Sequence, residues 1–505
     1  MTSGSGTTPA PGTAPALGRR HRLAELALLG AGLALTVLFA YGMVKKPLPA
    51  VALLLLLSIV GGMVLLRRKI AALSLSRLAA GMVLLVPLTG LLGAAAALPA
   101  FPQFFAFRLL LLAIVVLGVP LLLLRRGPVS LAAWRPALPL ALWFAWLTVT
   151  IVWAPDKAAG LRYLLVVTTM LAVVAAAASA GTSRRRLGAF SITMLVAYAF
   201  IVGVTMLEAA TGFHVPESRL VTVVTSQTYA VSGVFHNQND LATYLAICWP
   251  FLLAAAFFTR RVRWLGLALV FAALGGAAFV RTGSRSSLIA GGIATLVVLL
   301  LHARPGAWLQ TRRARVLGAL LAVLLLAGTA YLLFNDSQSS MLRQFRLSGL
   351  ATDVAANKGS GQIRTSLLER GLGVAGGSLL LGAGPGQVEG LVTSGADAVG
   401  IGNLHNWWLE AYADGGLPGF ALQLIFVVGL AWGLLGRART HADPFVRYLA
   451  SGAFAALVGF TIGALGPSSS LSFTPNWTLF GLGLAVLALP DDDTATDFAD
   501  PGAGT

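Results

Sequence analysis

The chain has 505 residues, 57% of them hydrophobic and 11% charged, with a formal net charge of +18. A soluble domain carries about 25% charged residues, so a soluble globular enzyme is excluded. A nucleic-acid binder is excluded as well, because the Lys and Arg residues come in short clusters between apolar runs and offer no single basic face.

In chain order, residues 1–18 are uncharged and rich in Gly, Thr, Pro and Ala, and 1–22 is expected to be a disordered cytoplasmic N-terminus. Arg19, Arg20 and Arg22 then precede an apolar run with no small-residue cleavage pattern, which reads as a first transmembrane helix and not a removable signal. Apolar runs follow at roughly 23–44, 48–66, 78–99, 107–124, 137–153, 161–180, 188–207, 240–258, 263–281, 286–303, 316–334, 416–436, 445–465 and 472–490. Most can cross a hydrocarbon core of about 30 Å. The fold class is an all-α polytopic membrane protein of about 12–14 transmembrane helices, with 23–490 as one multi-span catalytic domain. The tail 491–505, "DDDTATDFADPGAGT", is expected to be disordered, acidic and cytoplasmic.

Basic clusters such as Arg67/Arg68/Lys69, Arg184/Arg185/Arg186, Arg260/Arg261/Arg263 and Arg437/Arg439 occupy alternate loops. With the N-terminus inside, this obeys the positive-inside rule. The unusual polarity then falls on the outer side, in 208–240, in the short turn 281–287 and in the large external loop 335–415. That loop is far longer than an ordinary connection. Its mixed apolar and Gly-rich stretch "SLLERGLGVAGGSLLLGAGPGQVEG" suggests interfacial amphipathic helices. The single cysteine, Cys248, lies inside an apolar run, so neither an intramolecular disulfide nor a Cys-based metal site is available.

Four outer elements carry candidate chemistry. "FHNQNDLA", 235–242, opens a span with His236, Asn237 and Asn239; Asn and Asp suit helix caps, and a helix N-terminus favours anions. Arg281 and Arg285 flank "TGS" four residues apart, where helical geometry would put both guanidiniums on one face, suited to a pyrophosphate. Arg364 opens Arg-x-x-x-Leu within a predicted amphipathic helix. Finally, in "HNWWLEAYADGGLPG", 405–419, Asn403 is read as capping a helix from Leu404 that places His405 on an aromatic face with Trp408, Leu409 and Tyr412. A partly dry histidine there would be a neutral base. One His among amides and a lone Asp makes a poor metal set, so no metal and no cofactor are expected.

Together these pieces resemble the O-antigen ligase / Wzy polymerase superfamily of membrane glycosyltransferases. His405-Asn406, nine residues, then Gly416-x-x-Gly419 matches its His-[Asn/Ser/Gln]-x9-Gly-x-x-Gly pattern. Arg364 to Leu368 matches its Arg-x-x-x-Leu element. "TGSRSSLIAG" is similar to its Ser-Arg-Gly segment with Ser286 in place of Gly, and "FHNQNDLA" to its Phe-x-Asn-Pro-Asn-x-Leu-Ala with Gln238 in place of Pro.

The resemblance implies a GT-C-type helical fold and an inverting, metal-independent transfer of a glycan from undecaprenyl pyrophosphate, at the outer face of the cytoplasmic membrane. By it, His405 is the base, Arg285 and Arg364 hold the pyrophosphate, and Arg281, His236, Asn237, Asn239 and Asn406 line the substrate. The expected partners are the lipid-linked donor, a glycan, glycolipid or cell-wall acceptor, and the bilayer, with no nucleic acid. A Wzy-type polymerase on the same core is the alternative. A transporter or flippase of lipid-linked glycans is the reading from another class, disfavoured because the span interiors are almost free of ionisable residues.

Overall fold

Asp156, Ser183, Asn237, Asn406 and Asp443 each precede a mainly apolar run, and each is the N-cap of the helix that follows. Their side-chain oxygens accept backbone N–H groups that the helix leaves unpaired, from Ala159, Arg186, Asn239 and Asp240, Leu409 and Phe445. The computed structural model describes residues 75–92, 97–98, 101–124, 135–216, 218–221, 230–259, 262–302, 360–378, 380–393, 404–465 and 471–489. The expected spans 23–44, 48–66 and 316–334, the N-terminus 1–22 and the tail 491–505 lie outside the described residues.

The helices are α1 Leu75–Leu92, α2 Ala106–Leu124, α3 Leu138–Thr150, α4 Lys157–Ala178, α5 Arg184–Thr211, α6 Gln238–Phe258, α7 Val262–Thr282 and α8 Arg285–His302. Then come α9 Ser360–Gly377, α10 Gln387–Thr393, α11 Trp407–Thr440, α12 Pro444–Gly463 and α13 Thr474–Ala488. Among the described residues, seven helices are long and apolar enough to cross a membrane: α4, α5, α6, α7, α8, α11 and α12. The protein is an all-α polytopic membrane protein. One small departure interrupts the expected span 78–99: α1 stops at Leu92, and β1 Ala97–Leu98 pairs antiparallel with β2 Phe101–Phe105. Pro99 and Pro102 lie in that stretch, where proline withholds the N–H a helix needs.

Contacts divide the chain into a small unit, Met1–Ala79 with Ala113–Gly127, and a large one, Ala80–Leu112 with Pro128–Thr505. The large unit contains every candidate residue. Its centre is α13, buried along nearly its whole length. Small residues let it approach α4: a Cβ on Gly481 would collide with Ala177 and Val174, and one on Gly181 with Ala485. Without a hydrophobic drive between helices inside a bilayer, close packing of this kind holds them together. Around it, α6, α8 and α12 share a core of Ala254, Ala294, Val298 and Ala455. Trp249 on α6 adds a hydrogen bond of 2.9 Å to Thr295 on α8.

The short connections make neighbouring helices antiparallel, so the bundle has two chemically different ends. One carries Arg184, Arg185, Arg186, Arg263, Arg437, Arg439 and Arg447 with the single acid Asp443 among the described residues. The other carries the ends of α5 and α7, the starts of α4, α6, α8, α11 and α13, and all of α9 and α10. Every candidate residue sits at this second end.

Candidate active site

His405 stands outside the helix in which the sequence had placed it. Asn406, not Asn403, is the cap: its oxygen accepts the Leu409 N–H at 3.2 Å, and α11 begins at Trp407. The Trp407 N–H donates to the carbonyl of Ala464 at the end of α12, 3.2 Å away. Leu404 and Trp407, on either side, are both buried. Trp407 packs its ring against Trp408, Phe460 and Phe480, with centroids 5.1, 4.9 and 5.9 Å apart. Between these anchors His405 is half-buried and takes a left-handed backbone with φ 52°. Non-glycine residues adopt that region uncommonly, and they do so where the surroundings over-determine it.

The large loop supplies the next layer. Its helices α9 and α10 form a miniature core with the start of α11, from Leu367, Ala375, Val388, Val392, Leu404, Leu409 and Ala413. Two helices are therefore present in this loop, packed on the His405 turn. Arg364 lies in α9, where its position shares a helical face with Leu367, Gly371 and Ala375. Gly371 lies so close to the side chains of Leu409 and Leu404 that a Cβ there would push them aside. Arg370 is half-buried and ties α9 to α10 through a 2.9 Å bond to the Val392 carbonyl.

Gly415 and Gly416 end the first piece of α11. Gly416, with φ 65° and ψ −169°, is non-helical, and the loop 380–388 wraps around it. Ala383 N–H donates to Ala413 O at 2.8 Å, Gly384 N–H to Asp414 O at 3.1 Å and Leu417 N–H to Leu380 O at 2.8 Å. Trp146 donates to Gly415 O at 2.6 Å and Trp153 to Gly382 O at 2.9 Å. Asp414, 3% exposed, accepts the N–H groups of Gly386, Gln387 and Val388, each at 3.2 Å, and so caps α10. The Gln387 amide in turn binds both the N–H and the C=O of Asp156 at the start of α4. None of Asp414, Gln387, Trp146 and Trp153 was singled out from the sequence; the Gly-rich "LGAGPGQ" was the available signal for a backbone clasp.

Arg285 is the first residue of α8 and is half-buried. Arg281 ends α7, and the left-handed Gly283 turns the chain between them. The two arginines thus belong to different helices and do not share one helical face; Arg281 donates to Ala209 O at the end of α5, 3.4 Å away. The start of α8 reaches the His405 turn through α12. Gly463 packs on Ala290, and the next residue, Ala464, accepts the Trp407 N–H. His405, Arg285 and the helix of Arg364 are therefore held at one end by a continuous set of contacts.

The segment 230–240 joins the same end. Asn237 is buried, caps α6 and donates to Asp240 at 3.0 Å, while His236 is exposed and Asn239 half-buried. Phe235 meets Phe473, just before α13, with centroids 5.9 Å apart. Glu208, at the end of α5, is buried and organises this region. It accepts the Gly233 and Ser232 N–H groups at 2.6 and 3.0 Å and pairs with His214 at 2.6 Å. Among the described residues no group of three or more His, Cys, Asp or Glu is placed to hold a metal ion.

A half-buried imidazole and an arginine-headed helix start at the same end of a bundle can combine proton transfer with anion binding. Comparison with known proteins supports a glycan-processing membrane enzyme of the O-antigen ligase and polymerase type. The O-antigen ligase family (Wzy_C) matches residues 269–424, which include Arg281, Arg285, Arg364 and His405, and the resemblance drawn from the motifs is borne out. The chain is also similar to teichuronic acid biosynthesis protein TuaE of Bacillus subtilis (strain 168), with 25% identity over 358 residues, covering 69% of this chain and 70% of that one.

Proposed function

We propose that the protein is a membrane glycosyltransferase that moves a glycan from undecaprenyl pyrophosphate to an acceptor hydroxyl, with inversion and without a metal. The observation that carries this reading is the Trp407–Ala464 hydrogen bond. It fastens the His405 turn to α12, whose Gly463 packs on the helix headed by Arg285. His405 takes the proton of the acceptor hydroxyl, and the oxygen attacks the anomeric carbon. The bond from that carbon to the pyrophosphate oxygen breaks on the opposite side. Arg285 and Arg364 receive the negative charge of the departing pyrophosphate; preorganised donors in a partly dry site act strongly on such charge. A positioned base contributes about 10²–10⁴-fold. Arg281, His236, Asn237, Asn239 and Asn406 line the approach of the substrates.

Orientation follows from charge. The arginine-rich end is cytoplasmic by the positive-inside rule, so the site faces outward from the cytoplasmic membrane, where a lipid-linked glycan is presented. Similarity to a teichuronic acid biosynthesis protein favours a role in making a glycan of that kind; the reaction proposed is ligation, with polymerisation on the same core as the alternative.

The test uses purified protein in lipid nanodiscs with an undecaprenyl-pyrophosphate-linked oligosaccharide extracted from the host. Release of undecaprenyl pyrophosphate is expected from wild type in the presence of EDTA, and from neither His405→Ala nor Arg364→Ala. Product mass separates ligation from polymerisation. Wild-type release by both variants would defeat the assignment, and the absence of any release across candidate acceptors would favour transport.

A further inference from the structure

Glu208 joins two elements of the candidate site that no motif connects. It lies in the last turn of α5, where its carbonyl accepts the Gly212 N–H at 2.8 Å as the helix ends. The next carbonyl, that of Ala209, holds the Arg281 guanidinium. The Glu208 side chain is buried against the segment that leads into α6. It accepts the Ser232 N–H on both oxygens at 3.0 and 3.1 Å, the Gly233 N–H at 2.6 Å and the Ser232 hydroxyl at 3.3 Å. His214 Nδ1 completes the set at 2.6 Å.

This place calls for a carboxylate. Each of its two oxygens meets a backbone N–H, so a glutamine would turn its own N–H₂ against one of them. The held segment is tight. Gly233 is left-handed with φ 60°, and a Cβ there would sit 3.0 Å from Thr205 Oγ1, one turn before Glu208 on α5. Ser232 is fully buried, and its hydroxyl lies 2.7 Å from that of Ser218. Arg219, the next residue, donates its backbone N–H to the His236 carbonyl at 2.8 Å and its guanidinium to Gln238 at 3.3 Å. The chain of bonds from Glu208 through Ser232 and Ser218 therefore ends on either side of Asn237, the cap of α6.

We propose that Glu208 is a positioning residue for the lipid-linked donor: it ties the His236–Asn239 turn to the end of α5 that also holds Arg281, and so fixes the spacing of the two elements around the pyrophosphate. This rests on the reading of Arg281, His236, Asn237 and Asn239 as substrate-lining residues. Such contacts form with the bound donor before any bond breaks, so loosening them raises KM and leaves kcat.

The experiment measures kcat, donor KM and thermal midpoint in the undecaprenyl pyrophosphate release assay. It compares wild type, Glu208→Gln, Gly233→Ala, the double variant, Arg184→Gln and His405→Ala. Glu208→Gln and Gly233→Ala attack the same contact from its two sides. Each is expected to raise KM about 5- to 20-fold with kcat changed less than about three-fold, and the double variant to do little more than either. Arg184→Gln, at the opposite end of the bundle, is expected to lower the midpoint with KM unchanged, which separates lost stability from lost positioning. Wild-type KM in Glu208→Gln, a fall in kcat alone, or effects that multiply in the double variant would overturn the proposal. If one of the two single variants fails to insert, the other, set against Arg184→Gln, decides. Release by His405→Ala would sink the function reading itself, whereas an inactive His405→Ala beside a wild-type KM in Glu208→Gln sinks only the role of Glu208.

Discussion

Gly382 and Gly416 pack backbone against backbone. A Cβ on Gly416 would collide with the peptide of Leu380–Gly382, and one on Gly382 with the peptides of Asp414–Gly416. Gly416 also holds a φ/ψ combination that is essentially restricted to glycine. Gly416→Ala is therefore expected to destabilise the protein by about 3 kcal/mol or more, combining backbone strain with overpacking. Fluorescence-detected size exclusion after a temperature ramp reads this directly; a wild-type midpoint would show that the loop does not clasp the break.

Removing the Asp414 carboxylate leaves three N–H groups at the start of α10, two of them buried, without their acceptor. Hydrogen bonds to a charged group are worth about 1.5–3 kcal/mol each and an orphaned donor about 1–3, with partial compensation from its neighbours. Asp414→Ala is expected to cost about 3 kcal/mol and Asp414→Asn less, since one acceptor oxygen survives. Limited proteolysis of 380–393 in the two variants checks the order; equal resistance would contradict it.

Arg281 and Arg285 are separable by experiment. Arg281 is bonded to the end of α5, so Arg281→Lys is expected to keep a third or more of the activity with a small loss of stability (about 0.5–1.5 kcal/mol). Arg285→Lys gives up the guanidinium fork at the start of α8 and is expected to lose about ten-fold or more, appearing in kcat. Equal responses of the two positions would mean that both contact the leaving group or neither does.

At the arginine-rich end, partial burial tends to raise the Asp443 carboxyl. The hydrogen bonds from Arg184 and from the Phe445 N–H, with the charges of Arg184 and His441, outweigh it and hold the group below its ordinary value. A carboxylate depressed in the folded state contributes stability that is fully present above its unfolded value of about 4, and this is lost as pH falls through the folded value. Asp443→Asn is expected to lower the thermal midpoint at pH 7 about as much as Arg184→Gln does, and to flatten its fall below pH 4. An unchanged acid limb would remove this pair from the account.

The sequence shows the spans because an apolar run in a bilayer has few alternatives, and α4 to α8, α12 and α13 fall close to where hydropathy puts them. Caps were legible at Asn237, whose oxygen had an obvious helix to serve. The His405 turn was misread because two asparagines compete: periodicity favoured Asn403, whereas the Trp407 N–H is committed to Ala464, a partner 57 positions away that no local pattern announces. Arg281 failed to join Arg285 for the same kind of reason, a left-handed glycine between them and a distant carbonyl at Ala209. Asp414 and Glu208 were passed over because a lone acid beside an apolar run looks like a solvated end. Only the loops that fold over them reveal what their carboxylates hold.

The left-handed backbone of His405 also implies a trade-off. Glycine would occupy φ 52° without penalty and asparagine with little, so the histidine makes the turn less secure than it could be. His405→Gly is expected to melt higher than wild type, by up to about 1 kcal/mol of added stability, while transferring no glycan. A library screened for thermal tolerance alone would drift away from histidine at this position. One screened for envelope glycan would hold it there, and the disagreement between the two would mark the residue without any knowledge of the reaction.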